Sequence, residues 1–169
     1  MSVVFIAILA TLVGFLLIVV NRRPPAYLPA TRTGESISDE DRALLATLTL
    51  EELGALCRTL VLEKMGLTIE HFEAIGPDEI EIRGRDHKPV AGGIYMVHAF
   101  LRSPGDYLSP TEVVSSYSVA REEGAIKGIV VTSGEFSAAA SQSLEGEKME
   151  LIDGTALLRL CGRPASRAV

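Results

Sequence analysis

An unbroken run without charge, Ser2 to Val20, closed by Asn21-Arg22-Arg23-Pro24-Pro25, constrains this chain more than any other feature. At about 1.5 Å of rise per helical residue, about twenty residues reach roughly 30 Å, the hydrocarbon thickness of a bilayer. Nothing between Val3 and Val20 is more polar than Thr11. Each Leu, Ile, Phe or Val at membrane depth favours insertion by roughly 0.3–0.6 kcal/mol. A cleaved secretory signal needs a basic start and a small-x-small site. This chain opens Met1-Ser2-Val3-Val4 and carries its positive flank at Arg22-Arg23. The run predicts an uncleaved anchor. The positive-inside rule then places the remainder in the cytoplasm, as a single-pass protein of the inner (plasma) membrane. The expected division is a transmembrane helix over residues 1–20, a juxtamembrane linker over 21–45, a folded domain over 46–162 and a tail over 163–169.

Roughly 120 residues remain for the domain, enough for one hydrophobic core. Cys57 and Cys161, the only cysteines, lie among apolar helical residues, which predicts buried free thiols and leaves too few for a zinc site. Charge excludes more. Residues 1–35 hold Arg22, Arg23, Arg32 and Glu35; the rest carries 13 basic against 21 acidic residues, a net of −8. A domain that grips phosphate backbones usually shows a basic face, so nucleic-acid binding carries a penalty here.

Thr49-Leu50-Glu51-Glu52 forms a capping box, and Leu50, Leu53, Leu56, Cys57, Leu60, Val61 and Met65 follow at helical spacing until Gly66. Leu67 to Ile75 predicts a strand, and Glu79 to Arg83 alternates charge with isoleucine as a second. Gly84 to Pro89 predicts a turn, and Gly93 to Leu101 an interior strand. Ser109-Pro110-Thr111-Glu112 opens a helix that ends near Glu123-Gly124. Ile126 to Thr132 predicts a buried strand, Glu135 to Leu144 a helix, Met149 to Asp153 a strand and Thr155 to Cys161 a last helix. Strands joined by crossover helices run parallel, so the order implies an α/β sandwich with a central mixed sheet flanked by helices.

The stretch Glu123 to Ser137, with Gly124-Ala125, Val131-Thr132-Ser133-Gly134 and Phe136-Ser137, followed by Leu151-Ile152-Asp153-Gly154, resembles the Mrr-like restriction endonuclease domain. Leu48 to Leu53 with Met65-Gly66 is similar to that family's first helix. The resemblance covers roughly residues 46–161 and implies the PD-(D/E)XK nuclease fold. In that fold a carboxylate on one strand faces Gln-x-Lys or Glu-x-Lys on the next, and the pocket hydrolyses phosphodiesters with a divalent metal. The i, i+2 spacing on a strand places both motif side chains on one face.

Against the family pattern, Glu81 stands where the metal-binding aspartate is expected, His98 at the glutamine position and Phe100 at the lysine position. Gly54 stands where the family's first helix carries a glutamate. Removing one transition-state stabilising group costs about 2.7–4 kcal/mol, about 100- to 1000-fold in rate. The candidate catalytic residues are Glu81 and His98, with Glu81 the candidate metal ligand.

Each has a simpler reading: Glu79 and Glu81 as the solvated side of an edge strand, His98 as a packed core histidine. His71 and His87 show no ligand spacing with His98. Arg83, Arg85 and Lys88 read as solvated turn charges, Ser133-Gly134 as a strand-closing turn, and Lys127 as a poor replacement for the missing lysine.

The predicted function is a membrane-anchored, catalytically degenerate nuclease-fold domain acting as a DNA-associated or protein-binding module. The alternative is an active metal-dependent DNA endonuclease with a rearranged site. A third reading is a regulatory membrane protein that self-associates. No cofactor is expected, or Mg2+ or Mn2+ if activity remains. The membrane is the expected partner of residues 2–20; DNA is implied by the resemblance and opposed by charge.

Overall fold

The computed structural model describes residues 39–90, 92–143 and 147–161. The apolar run at 2–20, the linker up to residue 38 and the tail at 163–169 lie outside the described residues. Among the described residues no helix is long and apolar enough to cross a membrane.

Helix α1 spans Asp39–Ala46, where the sequence predicts linker through residue 45. Eight residues with one buried leucine give little periodic signal; the helix is held by Leu45, 2% exposed, which packs against Gly154. Helix α2, Leu50–Thr59, starts at the predicted capping box: Thr49 Oγ1 accepts from Glu52 N at 3.3 Å, and Glu52 Oε2 accepts from Thr49 N at 2.8 Å. It runs on through one π-helical turn, Leu60–Lys64, and Gly66 at φ +66° ends it, a conformation an L side chain rarely adopts.

Strands β1 (Thr68–Ala74), β2 (Glu79–Asp86) and β3 (Gly93–Phe100) follow as an antiparallel meander. β1 carries a bulge between Ile69 and His71. β2 continues past the predicted turn at Gly84, because Gly84 has to lie in the ladder. A Cβ there would meet Leu67 Cδ1 at 3.1 Å.

A short strand β4 (Tyr107–Leu108) precedes helix α3 (Pro110–Glu122), opened by the Ser109 and Glu112 box. Strand β5 (Lys127–Thr132) leads to β6 (Glu135–Phe136), which pairs with β4 where the sequence predicts the start of a helix. Helix α4 (Ala138–Ser143), strand β7 (Met149–Ile152) and helix α5 (Gly154–Leu160) complete the described chain. The main sheet is ordered β1-β2-β3-β5-β7, with β3, β5 and β7 parallel, so the mixed sheet between helices is present as predicted.

Alternation along the strands sorts the layers. Ile80, Ile82, Val97 and Ile129 are buried on the face covered by α2, its π-turn and α5. On the other face Phe100 and Val130 join Leu108, Val113, Phe136 and Ala140 in a cluster beneath α3 and α4. α3 packs over β3 and β5, and among the described residues no helix packs extensively on the same face of β1 and β2. That uncovered face carries the candidate site.

Candidate active site

Glu81 on β2 and His98 on β3 are directly paired across the strands, so both side chains leave the sheet on one face. His98 Nε2 lies 3.1 Å from Glu81 Oε2; the side chains are 5% and 21% exposed. The contact is off the line a hydrogen bond needs, and Nε2 is left without a hydrogen-bond partner. β2 is an interior strand between β1 and β3, so Glu81 does not sit on the edge strand that its simpler reading supposed.

Phe100 is paired with Glu79 one step along the same register, on the same face. It is 5% exposed and packs with Leu108, Val113, Val130 and Phe136. Its aromatic ring is thus closed over by the helical layer of α3 and α4.

Two cations border these residues: Arg83, two residues from Glu81 on the same face of β2, and Arg102, two residues beyond Phe100, its guanidinium 5.7 Å from the Phe100 ring centroid. Arg102 bonds to Asp78 and, through Nη2, to Glu112 Oε1 at 2.8 Å. Its backbone is fixed too: Ser133 Oγ accepts from Arg102 N and donates to Arg102 O, both at 2.7 Å. Burial works against the Arg102 charge, but the hydrogen bonds to Glu112 and Asp78 outweigh it and hold its pKa above arginine's ordinary value. Burial likewise opposes the Glu112 charge. Donation from the Ser109 hydroxyl and backbone, then from Arg102, holds its carboxyl below the usual range. This latch of Asp78, Arg102 and Glu112 is absent from the sequence prediction, although the N3 position of Glu112 and the i+2 spacing of Arg102 from Phe100 both pointed to it.

The remaining candidates disperse. Lys127 lies on the opposite face of the sheet and pairs with Glu150. Lys88 is held at the hairpin by Asp86 at 3.1 Å. His71 contacts Glu73 at 3.2 Å, away from His98. At the Ser133-Gly134 turn the backbone N–H groups are already used: Ser133 N donates to Phe100 O, Gly134 N to Thr132 Oγ1, and Glu135 N to Asp106 O. No anion cradle is left there. Gly54 does not join Glu81 either. A Cβ on it would meet Phe72 Cζ at 3.0 Å and Ile80 Cδ1 at 3.3 Å, on the face opposite Glu81.

The donor set fits a catalytic divalent ion poorly. Magnesium takes about six ligands, mostly oxygens. Glu81 and His98 supply two donors turned toward each other, and among the described residues no group of three or more His, Cys, Asp or Glu side chains is arranged to hold a metal.

With that geometry in place, the match to known families is decisive. A family model of Mrr-type catalytic domains, described as restriction endonucleases, matches residues 45–161. The chain belongs to the Mrr-type restriction endonuclease family. Among solved structures it is similar to the DNA modification-dependent restriction endonuclease AspBHI, at 18% identity and a TM-score of 0.49, over 74% of this chain and 35% of that one. It is also similar to the MspJI restriction endonuclease in complex with a 27-mer oligonucleotide, at 21% identity and a TM-score of 0.45, over 73% of this chain and 28% of that one. The chain therefore spans about a third of these larger proteins. No curated protein matches it. Within the Mrr-type fold, Glu81, His98 and Phe100 sit at three adjoining positions of one β2–β3 face.

Proposed function

We propose that this Mrr-type domain no longer cleaves phosphodiesters and serves as a binding module held at the cytoplasmic side of the inner membrane. The observation that carries the reading is Phe100. It occupies the family's lysine position as part of the hydrophobic core, so no cation can enter that place without dismantling the cluster around it. Loss of such a charge costs about 100- to 1000-fold in rate, before the short metal donor set is counted. The tether rests on residues 2–20 and the Arg22-Arg23 flank.

The test is incubation of the full chain, in neutral detergent with Mg2+ or Mn2+, with supercoiled plasmid. Intact plasmid is the expected result. Nicking that disappears in Glu81→Ala overturns the reading in favour of an endonuclease built on Glu81 and His98, a reading supported by their 3.1 Å contact and by the restriction endonuclease family match. For the tether, protease added outside intact cells should leave residues 39–161 uncut, and digestion there would reverse the orientation.

A further inference from the structure

The geometry points to the uncovered face of β1 and β2 as a docking surface for a cationic, extended polypeptide segment rich in lysine or arginine. This rests on the reading of the domain as a non-cleaving binding module and names the partner of that same face.

Among the described residues the face is open, and its carboxylates outnumber its guanidinium groups. α3 lies over β3 and β5, while Glu79, Glu81, Arg83 and Arg85 along β2 are half-exposed. From β1, Glu73 pairs directly with Glu81, and Glu70 at the bulge reaches Arg85. Four carboxylates thus share the surface with two guanidinium groups: Arg85 is taken by Glu70, and Arg83 reaches Glu123 through Nη2 while its Nε is buried without a hydrogen-bond partner. At the rim Arg102 is taken by Asp78 and Glu112. Glu79 has no ion-pair partner among the described residues, and Glu73 contacts only the imidazole of His71. A phosphate backbone laid here would meet unmatched carboxylates. A lysine- or arginine-bearing strand meets the complementary field.

A second observation lies at the back of the face. His98 is 4% exposed, and its Nε2 has no hydrogen-bond partner although Glu81 Oε2 is 3.1 Å away. In the tautomer with its proton on Nδ1, His98 offers Nε2 as a buried acceptor beside the Glu81 carboxylate, and the two suit an N–H donor brought from outside. An ammonium or guanidinium group supplies donors to both.

The experiment measures fluorescence anisotropy of a fluorescein-labelled, alternating Lys-Arg dodecapeptide with the full chain in neutral detergent. A labelled DNA duplex and plasmid nicking are run on the same preparation. The variant on the face is Glu73→Lys/Glu79→Lys. The control is Glu51→Lys/Glu63→Lys, the same change in net charge on α2 and its π-turn. Melting curves confirm that each is folded, and Glu79→Gln serves if the double variant is not.

The expected result is salt-sensitive peptide binding, weakened about tenfold or more by the face variant and changed less than about twofold by the control, with no duplex binding. Absent peptide binding, equal loss in both variants, or duplex binding that requires the face overturns the inference. Plasmid nicking overturns the non-cleaving reading instead, and the peptide result stands apart from it.

Discussion

Glu79 and Phe100 are directly paired across β2 and β3, yet one is half-exposed and the other is 5% exposed within the apolar cluster under α3. One inter-strand spacing therefore separates a solvated carboxylate from the domain core.

Phe100→Lys, the substitution that restores the family residue, is expected to destabilise the domain rather than activate it. Truncating a buried phenylalanine costs about 3–5 kcal/mol, and the new ammonium would have to leave the space among Leu108, Val113 and Phe136 to reach Glu79 across the strands. Chemical denaturation of the variant checks this; a stable variant that nicks plasmid would contradict it.

Gly54→Glu should behave similarly on the other face. The new Cβ would press on Phe72 and Ile80, and overpacking of this kind costs about 1–3 kcal/mol. The carboxylate would not reach Glu81, so metal affinity measured by calorimetry should be unchanged from wild type.

The Arg102 latch makes stability depend on pH. The folded-state pKa of Glu112 is depressed, so its contribution is complete above the unfolded value of about 4.3 and is lost as pH falls through the folded value. Glu112→Gln should flatten that acid limb of the stability curve. Arg102→Ala, which leaves Asp78 and Glu112 without their donor, should cost about 1–3 kcal/mol at neutral pH, and thermal melts across pH measure both.

The two thiols should differ in reactivity. Burial, with a smaller contribution from Cys161, pushes the Cys57 thiol up to about 12. Cys161 is half-buried and donates to Leu56 O at 3.4 Å. Alkylation of the folded protein at mildly alkaline pH should modify Cys161 first, with Cys57 modified only on unfolding. Peptide mass mapping reads the order, and early loss of the Cys57 peptide would contradict it.

Much of the architecture was legible because its signals are local. The Thr49 and Ser109 capping boxes, the Ile80 and Ile82 alternation and the apolar β3 and β5 runs each state their element within a few residues. What was not legible depends on distant partners. α1 is held by Leu45 on Gly154, and β6 exists because β4 pairs with it across 28 residues of sequence separation. In the site, the pairing of Glu81 with His98 followed from alignment to the family motif. The burial of Phe100 and the clamping of Arg102 needed the fold, since Asp78, Glu112 and Ser133 come from the β1–β2 turn, the first turn of α3 and the turn after β5.

The bulge between Ile69 and His71 bears on how copies of this chain can meet. An outer strand that is flat, long and apolar offers its free amide and carbonyl groups as a template for the next molecule. β1 is irregular at that bulge and carries Glu70, His71 and Glu73 close together. Strand-by-strand polymerisation is therefore disfavoured at this border of the sheet, both by the break in spacing and by repulsion between the Glu70 and Glu73 carboxylates of adjoining copies.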